Sequence, residues 1–283
     1  MSIDCMIEFY QHIPDFIGPI AFSIGSFAVH WYSLMWIAAF AIVYFLLIWR
    51  IKRSEGDYDK NFIQDVISNS LIGALIGGRL GYVVFYDLPY YIAHPLQIIS
   101  PYDFTSGQWV GIYGMSYHGG IIGVAIAIIW TAHKKDKNFL DLFDFIAPVA
   151  PLGYMFGRLG NFFNAELVGR VTTSPIGMYF NGENITKHPS QLYEAFFEGL
   201  VLFVILWSLR NKNLSRGMMT SFYIIGYSIT RFGVEYFRAP DAHLGFIFAQ
   251  ITMGQILSFI MFGVGFGLFI WSYRQRNSSI VDK

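Results

Sequence analysis

The sequence predicts an all-α integral membrane protein of about seven transmembrane helices with a small extracytoplasmic cap, on three observations. Hydrophobic residues make up 54% of the 283 positions and charged residues only 13%, where a soluble domain carries about 25% charged residues. Aromatic residues reach 19%, which fits helices that face lipid and end in aromatic belts. Apolar runs of about 20 residues, the length needed to cross the hydrocarbon core, recur along the chain. The net charge is zero, so there is no bulk electrostatic case for a nucleic-acid partner. The single cysteine, Cys5, excludes an intramolecular disulfide and a cysteine-rich metal site. It reads as a thiol with no role in a polar N-terminal stretch, and neither a metal nor a cofactor is expected. No cleavable signal peptide is evident, because the first apolar run is long, starts near residue 20 and lacks a basic region before it.

The expected spans run near 28–49, 65–86, 110–132, 143–163, 190–209, 217–237 and 247–271. The second, fourth and sixth are less pure, since they hold Arg79, Arg158 and Arg231. Arg50, Lys52, Arg53 and Lys60 follow the first span, and Lys134, Lys135 and Lys137 the third. Arg210, Lys212 and Arg216 follow the fifth, and Arg274, Arg276 and Lys283 the seventh. The opposite loops hold only Arg170, Lys187 and Arg238. By the positive-inside rule the N-terminus is outside and the C-terminus cytoplasmic. The loops on the basic side look like plain tethers. Residues 1–283 thus form a single polytopic membrane domain. Residues 164–189, rich in glycine and polar groups, make an extracytoplasmic loop long enough for a cap of short strands. Chemistry is expected toward the outer face. Pairs such as Gly73 and Gly77, Gly77 and Gly81, Gly119 and Gly123, Gly153 and Gly157, and Gly263 and Gly267 have the spacing that lets helix backbones approach closely. Packing alone accounts for them.

An arginine within a span is costly, so Arg79, Arg158 and Arg231 need partners or a ligand. They point to a shared polar cavity or to separate structural ion pairs, the cavity being favoured. The densest polar stretch is Gly157-Arg158-Leu159-Gly160-Asn161-Phe162-Phe163-Asn164-Ala165-Glu166-Leu167-Val168-Gly169. Asn161 lies three residues after Arg158, so both can share a helix face, and Glu166 follows where the helix breaks. A guanidinium, two amides and a carboxylate suit an anionic headgroup bearing hydroxyls, the guanidinium as a bidentate fork for phosphate. Tyr227, Arg231, Glu235 and Arg238 form one stripe on the sixth span. An internal Arg231–Glu235 ion pair explains part of that stripe without excluding a site. His118 sits before Gly119 and Gly120, and histidine is the usual general base near neutral pH; a structural hydrogen-bonding role is the alternative. Ser190 reads as the helix N-cap of the fifth span, with Glu194 in the first turn as a further support of the cavity. Trp31 reads as an interfacial anchor, beside Tyr32.

These motifs resemble the prolipoprotein diacylglyceryl transferase family. The 157–169 stretch matches in full its signature, Gly-Arg-x-x-Asn-Phe-x-Asn-x-Glu-x-x-Gly. Further motifs follow in order: His-Trp-Tyr at 30–32, Gly-Gly-Arg-Leu-Gly-Tyr at 77–82, Ser-Tyr-His-Gly-Gly at 116–120 and Asp-Phe-Ile-Ala-Pro at 144–148. His-Pro-Ser-Gln-Leu-Tyr-Glu at 188–194, Arg-Phe-x-Val-Glu-Tyr-Phe-Arg-x-Pro-Asp at 231–241 and Met-Gly-Gln at 253–255 complete the set. The loop between the signature and His188 looks shorter than in some relatives.

The resemblance implies an enzyme of the bacterial cytoplasmic (inner) membrane, first in lipoprotein maturation. It moves the diacylglyceryl group of phosphatidylglycerol to the lipobox cysteine of a prolipoprotein signal peptide, forms a thioether and releases glycerol-1-phosphate. By resemblance, Arg158 binds the headgroup with Asn161 and Glu166. Arg231, steadied by Glu235, stabilises the leaving phosphate, and His118 assists thiol deprotonation. Tyr32 and Tyr227 shape the site, and Arg238 and Glu194 join the substrate-binding set. The nucleophile comes from the protein substrate, so the enzyme needs no catalytic cysteine. The rival class is a transporter or channel for an anionic lipid or solute, since polar intramembrane groups also line such pathways. Against it, the arginines cluster at one face and no polar stripe runs through. A retinal-type receptor is a poorer rival, because the last span contains no lysine.

Overall fold

The computed structural model describes residues 3–25, 27–103, 107–109, 114–240, 247 and 251–281. Tyr113, Asp241 and Lys283, and the first residues of the expected third span, lie outside them. The elements in chain order are α1 (Ile3–Gln11), α2 (Ile13–Phe16), β1 (Ile20–Ile24), β2 (Phe27–His30), α3 (Trp31–Lys52), α4 (Lys60–Tyr86) and α5 (Leu88–Ala93). A 3₁₀ turn (Pro95–Ile98), β3 (Tyr102–Asp103), β4 (Gln108–Trp109), α6 (Tyr117–Lys134), α7 (Phe139–Ile146) and α8 (Ala150–Phe163) follow. The rest are β5 (Met178–Tyr179), β6 (Thr186–Lys187), α9 (Ser190–Glu194), a π-helical segment (Ala195–Val201), α10 (Leu202–Leu209), α11 (Met218–Val234) and α12 (Met253–Val281).

Among the described residues, four helices are long and apolar enough to cross a membrane: Trp31–Lys52, Lys60–Tyr86, Ser190–Leu209 and Met253–Asn277. A fifth arises if α7 and α8, bent by 57°, count as one. The bend falls at Ala147–Val149, where Pro148 cannot donate to the helix ladder and Pro151 opens the next turn. At 17 residues α11 is short. Tyr117, His118, His133 and Lys134 at the two ends of α6 dilute its apolar centre. Large apolar side chains such as Ile37, Phe45, Phe259 and Val264 face outward, while Ser190, Gln191, Glu194, Glu198, Ser221 and Glu235 are buried. Polar groups inside and apolar groups outside is the arrangement a lipid solvent selects.

The chain forms two compact units, residues 1–55 with 143–283 and residues 56–142. In the smaller, Asp59 caps α4 by accepting from Phe62 N at 2.7 Å. Ser116 Oγ caps α6 by accepting from Gly119 N at 3.3 Å. The two helices pack backbone to backbone. A Cβ on Gly77 would strike the Gly119 carbonyl, and one on Gly73 would lie 2.9 Å from Ala127 Cβ. The glycine pairs of α4 and α6 are therefore packing devices. Gly153 packs on Val43, whereas Gly157, Gly263 and Gly267 face open space.

In the larger unit α3 packs on α8, α8 on the π-helical segment, and α11 on α12. A core of Ala147, Leu202, Leu206 and Met219 joins α10 to α11. Asp144 caps α11 from a distance, accepting from Gly217 N at 2.5 Å and Thr220 N at 2.7 Å. Residues 164–189 carry the antiparallel ribbon β5–β6, and Met178 and Phe180 pack with Phe162 against Ile13 and Ile17. One basic residue read as part of a plain tether is structural: Arg50 is 3% exposed, donates to the Phe145 carbonyl and pairs with Glu55 at 2.9 Å.

Candidate active site

The site grows from the outgoing end of α8. Arg158, 7% exposed, donates from Nε to the Tyr154 hydroxyl at 2.7 Å and from a terminal nitrogen to Asn161 Oδ1 at 3.4 Å. Asn161 Nδ2 then donates to Glu166 Oε1 at 2.7 Å. The loop that delivers Glu166 is strained: Ala165 and Leu167 have φ of 50° and 56°, a region that costs a non-glycine residue energy and tends to mark functional sites. The start of α9 holds that loop. Gln191 Nε2 donates to the Glu166 carbonyl at 2.6 Å and Ser190 Oγ to the Leu167 carbonyl at 3.0 Å. This corrects the expectation that Ser190 is an N-cap. The N-cap position falls to Pro189, and the serine hydroxyl is committed to the loop instead.

Glu194, fully buried, is the hub. Its Oε2 lies 2.9 Å from Arg158 Nε, and its Oε1 lies 2.5 Å from Arg231 and 3.2 Å from Arg238. Arg231 also pairs with Glu235 at 2.6 Å, the i,i+4 pair the spacing predicts, and Glu235 accepts from Thr252 Oγ1 at 2.8 Å. The three guanidiniums thus share one region with Glu194, Glu235 and Glu198, the last 3.8 Å from Arg231, and with Glu166 linked through Asn161; unpaired charges there would be prohibitive. Arg238 is tethered through its backbone. Gly169 bridges to it in antiparallel fashion, Arg170 N donates to the Phe237 carbonyl at 2.8 Å and Arg170 Nε to the Arg238 carbonyl at 2.9 Å. A Cβ on Gly169 would lie 2.5 Å from the His188 and Phe237 carbonyl oxygens, so only glycine fits. His188 packs on Phe237, and burial holds its imidazole below the usual histidine range.

Of the residues singled out from the sequence, Arg158, Asn161, Glu166, Glu194, Arg231, Glu235 and Arg238 form this one connected network. Tyr227 borders it, its ring 5.6 Å from and edge-on to Tyr154. Tyr32 lies against α8, within 3.1 Å of where a Cβ on Gly160 would sit. His118 belongs to the smaller unit, exposed on the first turn of α6 and edge-on to Tyr117. Arg79 also lies there, donating to the Gln97 and Ile98 carbonyls at 2.6 and 2.8 Å; it is a brace of its own unit. Sequence reasoning passed over Tyr154, Arg170 and Glu198. Glu198 alone left a signal, four residues after Glu194 on one apolar helix.

Residues 19–271 match the prolipoprotein diacylglyceryl transferase family. The chain belongs to that family. The phosphatidylglycerol–prolipoprotein diacylglyceryl transferase of Chlorobaculum tepidum is 47% identical to it over 283 residues, covering 98% of both chains. The enzyme of the same name from Bordetella avium is 45% identical over 96% of this chain and 99% of its own. That of Campylobacter jejuni is 44% identical over 90% and 94%. The chain is therefore a transferase, and the transporter reading of its intramembrane polar groups falls away.

Proposed function

We propose that the protein transfers the diacylglyceryl group of phosphatidylglycerol to the lipobox cysteine thiol of prolipoprotein signal peptides. The observation that carries the site assignment is the convergence of Arg158, Arg231 and Arg238 on Glu194 within an apolar bundle. A buried guanidinium cluster suits a phosphate that must be held and then released with added charge. Two amide oxygens, Asn164 Oδ1 and Gln191 Oε1, are buried with no hydrogen-bond partner. They add acceptor capacity for a headgroup bearing hydroxyls.

In the reaction the thiolate sulfur attacks a saturated glyceryl carbon. A carbon–sulfur bond forms, the carbon–oxygen bond to phosphate breaks, and glycerol-1-phosphate leaves with the bonding pair. Arg158, with Asn161 and Glu166, holds the headgroup. Arg231, steadied by Glu235, meets the charge that grows on the departing oxygen, a contact stronger in the transition state than in the ground state. His118 takes the thiol proton, while Tyr32, Tyr227, Arg238 and Glu194 shape the pocket.

Seven spans complete the reading, with α6 and α11 added to the four long helices and the bent pair. The N-terminus is extracytoplasmic, the C-terminus cytoplasmic, and residues 164–189 form the outer cap of a single polytopic domain in the bacterial inner membrane. The test is incubation of the purified protein with phosphatidylglycerol and a lipobox peptide, followed by mass spectrometry. A peptide heavier by one diacylglyceryl group is expected, and an unmodified peptide overturns the reading. Arg158→Ala should abolish transfer while the protein still inserts, and Arg158→Lys should lose most of it for want of the bidentate fork. Near-normal turnover in Arg158→Ala refutes the headgroup assignment.

A further inference from the structure

Tyr154 and Glu198 lie just outside every motif that carries the family resemblance, yet both enter the arginine network. Glu198 stands on the π-helical segment between α9 and α10, a distortion that recurs at functional sites. Gly199 lets this segment close on α8: a Cβ there would lie 2.6 Å from Met155 Cβ. That approach sets Glu198, fully buried, beside Tyr154.

The polarity of the chain of contacts is fixed by chemistry. Arg158 Nε can only donate, so the Tyr154 hydroxyl accepts from it at 2.7 Å. The hydroxyl proton must then go elsewhere, and Glu198 Oε2 receives it at 2.5 Å. The other Glu198 oxygen lies 3.8 Å from Arg231. The Tyr154 ring meanwhile lies under the Arg158 guanidinium, 4.8 Å from its carbon. The hydroxyl shares the Nε edge of Arg158 with Glu194 Oε2, 2.9 Å away, the ring lies against the guanidinium, and the Glu198 carboxylate holds the hydroxyl.

We infer that Tyr154 and Glu198 are a positioning pair that orients Arg158 for the phospholipid headgroup. The inference rests on the reading of Arg158 as headgroup ligand. Arg158 contacts the phosphate before and during transfer, so a loosened Arg158 weakens substrate and transition state alike. Its signature is a raised KM for phosphatidylglycerol with little change in kcat.

The experiment measures transfer by the full-length protein against the mole fraction of phosphatidylglycerol in mixed micelles. Tyr154→Phe removes one oxygen and keeps the ring, and it should raise KM about tenfold, as expected for loss of a hydrogen bond to a charged group. Glu198→Gln retains an oxygen that accepts from Tyr154 and should raise KM less than Glu198→Ala, which should match Tyr154→Phe. The double variant Tyr154→Phe/Glu198→Ala should be no worse than the weaker single variant, because both changes cut the same link. An unchanged KM in Tyr154→Phe overturns the inference, as do multiplicative effects in the double variant. If Glu198→Ala fails to fold, Tyr154→Phe and Glu198→Gln alone decide it. Arg158→Ala runs alongside: its retained activity would remove the headgroup reading itself. Its inactivity beside a normal Tyr154→Phe would remove only the positioning pair.

Discussion

Replacing Glu194 by glutamine tests the charge balance of the site. The change keeps the shape of the side chain and removes one negative charge from three guanidiniums, at 2.5, 2.9 and 3.2 Å. Glu198 and Glu235 remain, but the three guanidiniums lose the one carboxylate that all of them approach. Breaking a buried pair by neutralising one partner costs about 3–5 kcal/mol, since the other charge stays buried without compensation. At roughly 2–4 °C per kcal/mol for a chain of this size, the midpoint of thermal unfolding should fall by roughly 6–12 °C at the lower end of that cost. The assay is unfolding in neutral detergent, repeated with anionic phosphatidylglycerol and with zwitterionic phosphatidylcholine. A phosphodiester supplies the one negative charge the variant lacks. Phosphatidylglycerol should therefore restore more of the loss in Glu194→Gln than it adds to the wild type, and phosphatidylcholine should restore none of it. An unchanged midpoint in neutral detergent would refute the claim that Glu194 holds the cluster together. Equal rescue by both lipids would refute the assignment of the cluster to an anion.

The division of labour between His118 and Arg231 shows in pH profiles of transfer. His118→Gln should recover in part above about pH 8.5, where the substrate thiol ionises unaided, and Arg231→Gln should not; equal, pH-independent inactivity of both would remove the base role. Gly169→Ala should lower stability by about 1–3 kcal/mol, the usual cost of overpacking, because its Cβ meets two carbonyl oxygens at 2.5 Å; a thermal midpoint equal to wild type would show that the bridge to Arg238 gives way freely. A reporter fused after Lys283 should be active only in the cytoplasm, and activity only outside it would invert the proposed topology.

Much of this was legible in the sequence because its physics is local. The Arg231–Glu235 and Arg158–Asn161 contacts follow from helical spacing of four and three residues, and α3 and α4 from apolar length with a polar or capped end. What was not legible depends on partners distant in sequence. Arg50 reads as a cytoplasmic loop cation until Phe145 and Glu55 are beside it. Arg79 shares its intramembrane cost with Arg158 and Arg231, yet its carbonyl partners come from a 3₁₀ turn with no sequence signature. Ser190 has the residue type and place of a cap, and only the folded position of Leu167 shows what its hydroxyl does. The importance of Glu194 exceeds what its first-turn position indicates, because arginines from α8, from α11 and from the segment after α11 reach it.

The glycine faces of α4 and α6 have a mechanical consequence for His118. With backbone set against backbone at Gly73, Gly77 and Gly81, there is no room for even a methyl group between the two helices. The two helices pack as one closely keyed pair, and His118 stands at its end. Its reach is set by the side-chain torsions of one imidazole, and any larger displacement must carry α4 with it.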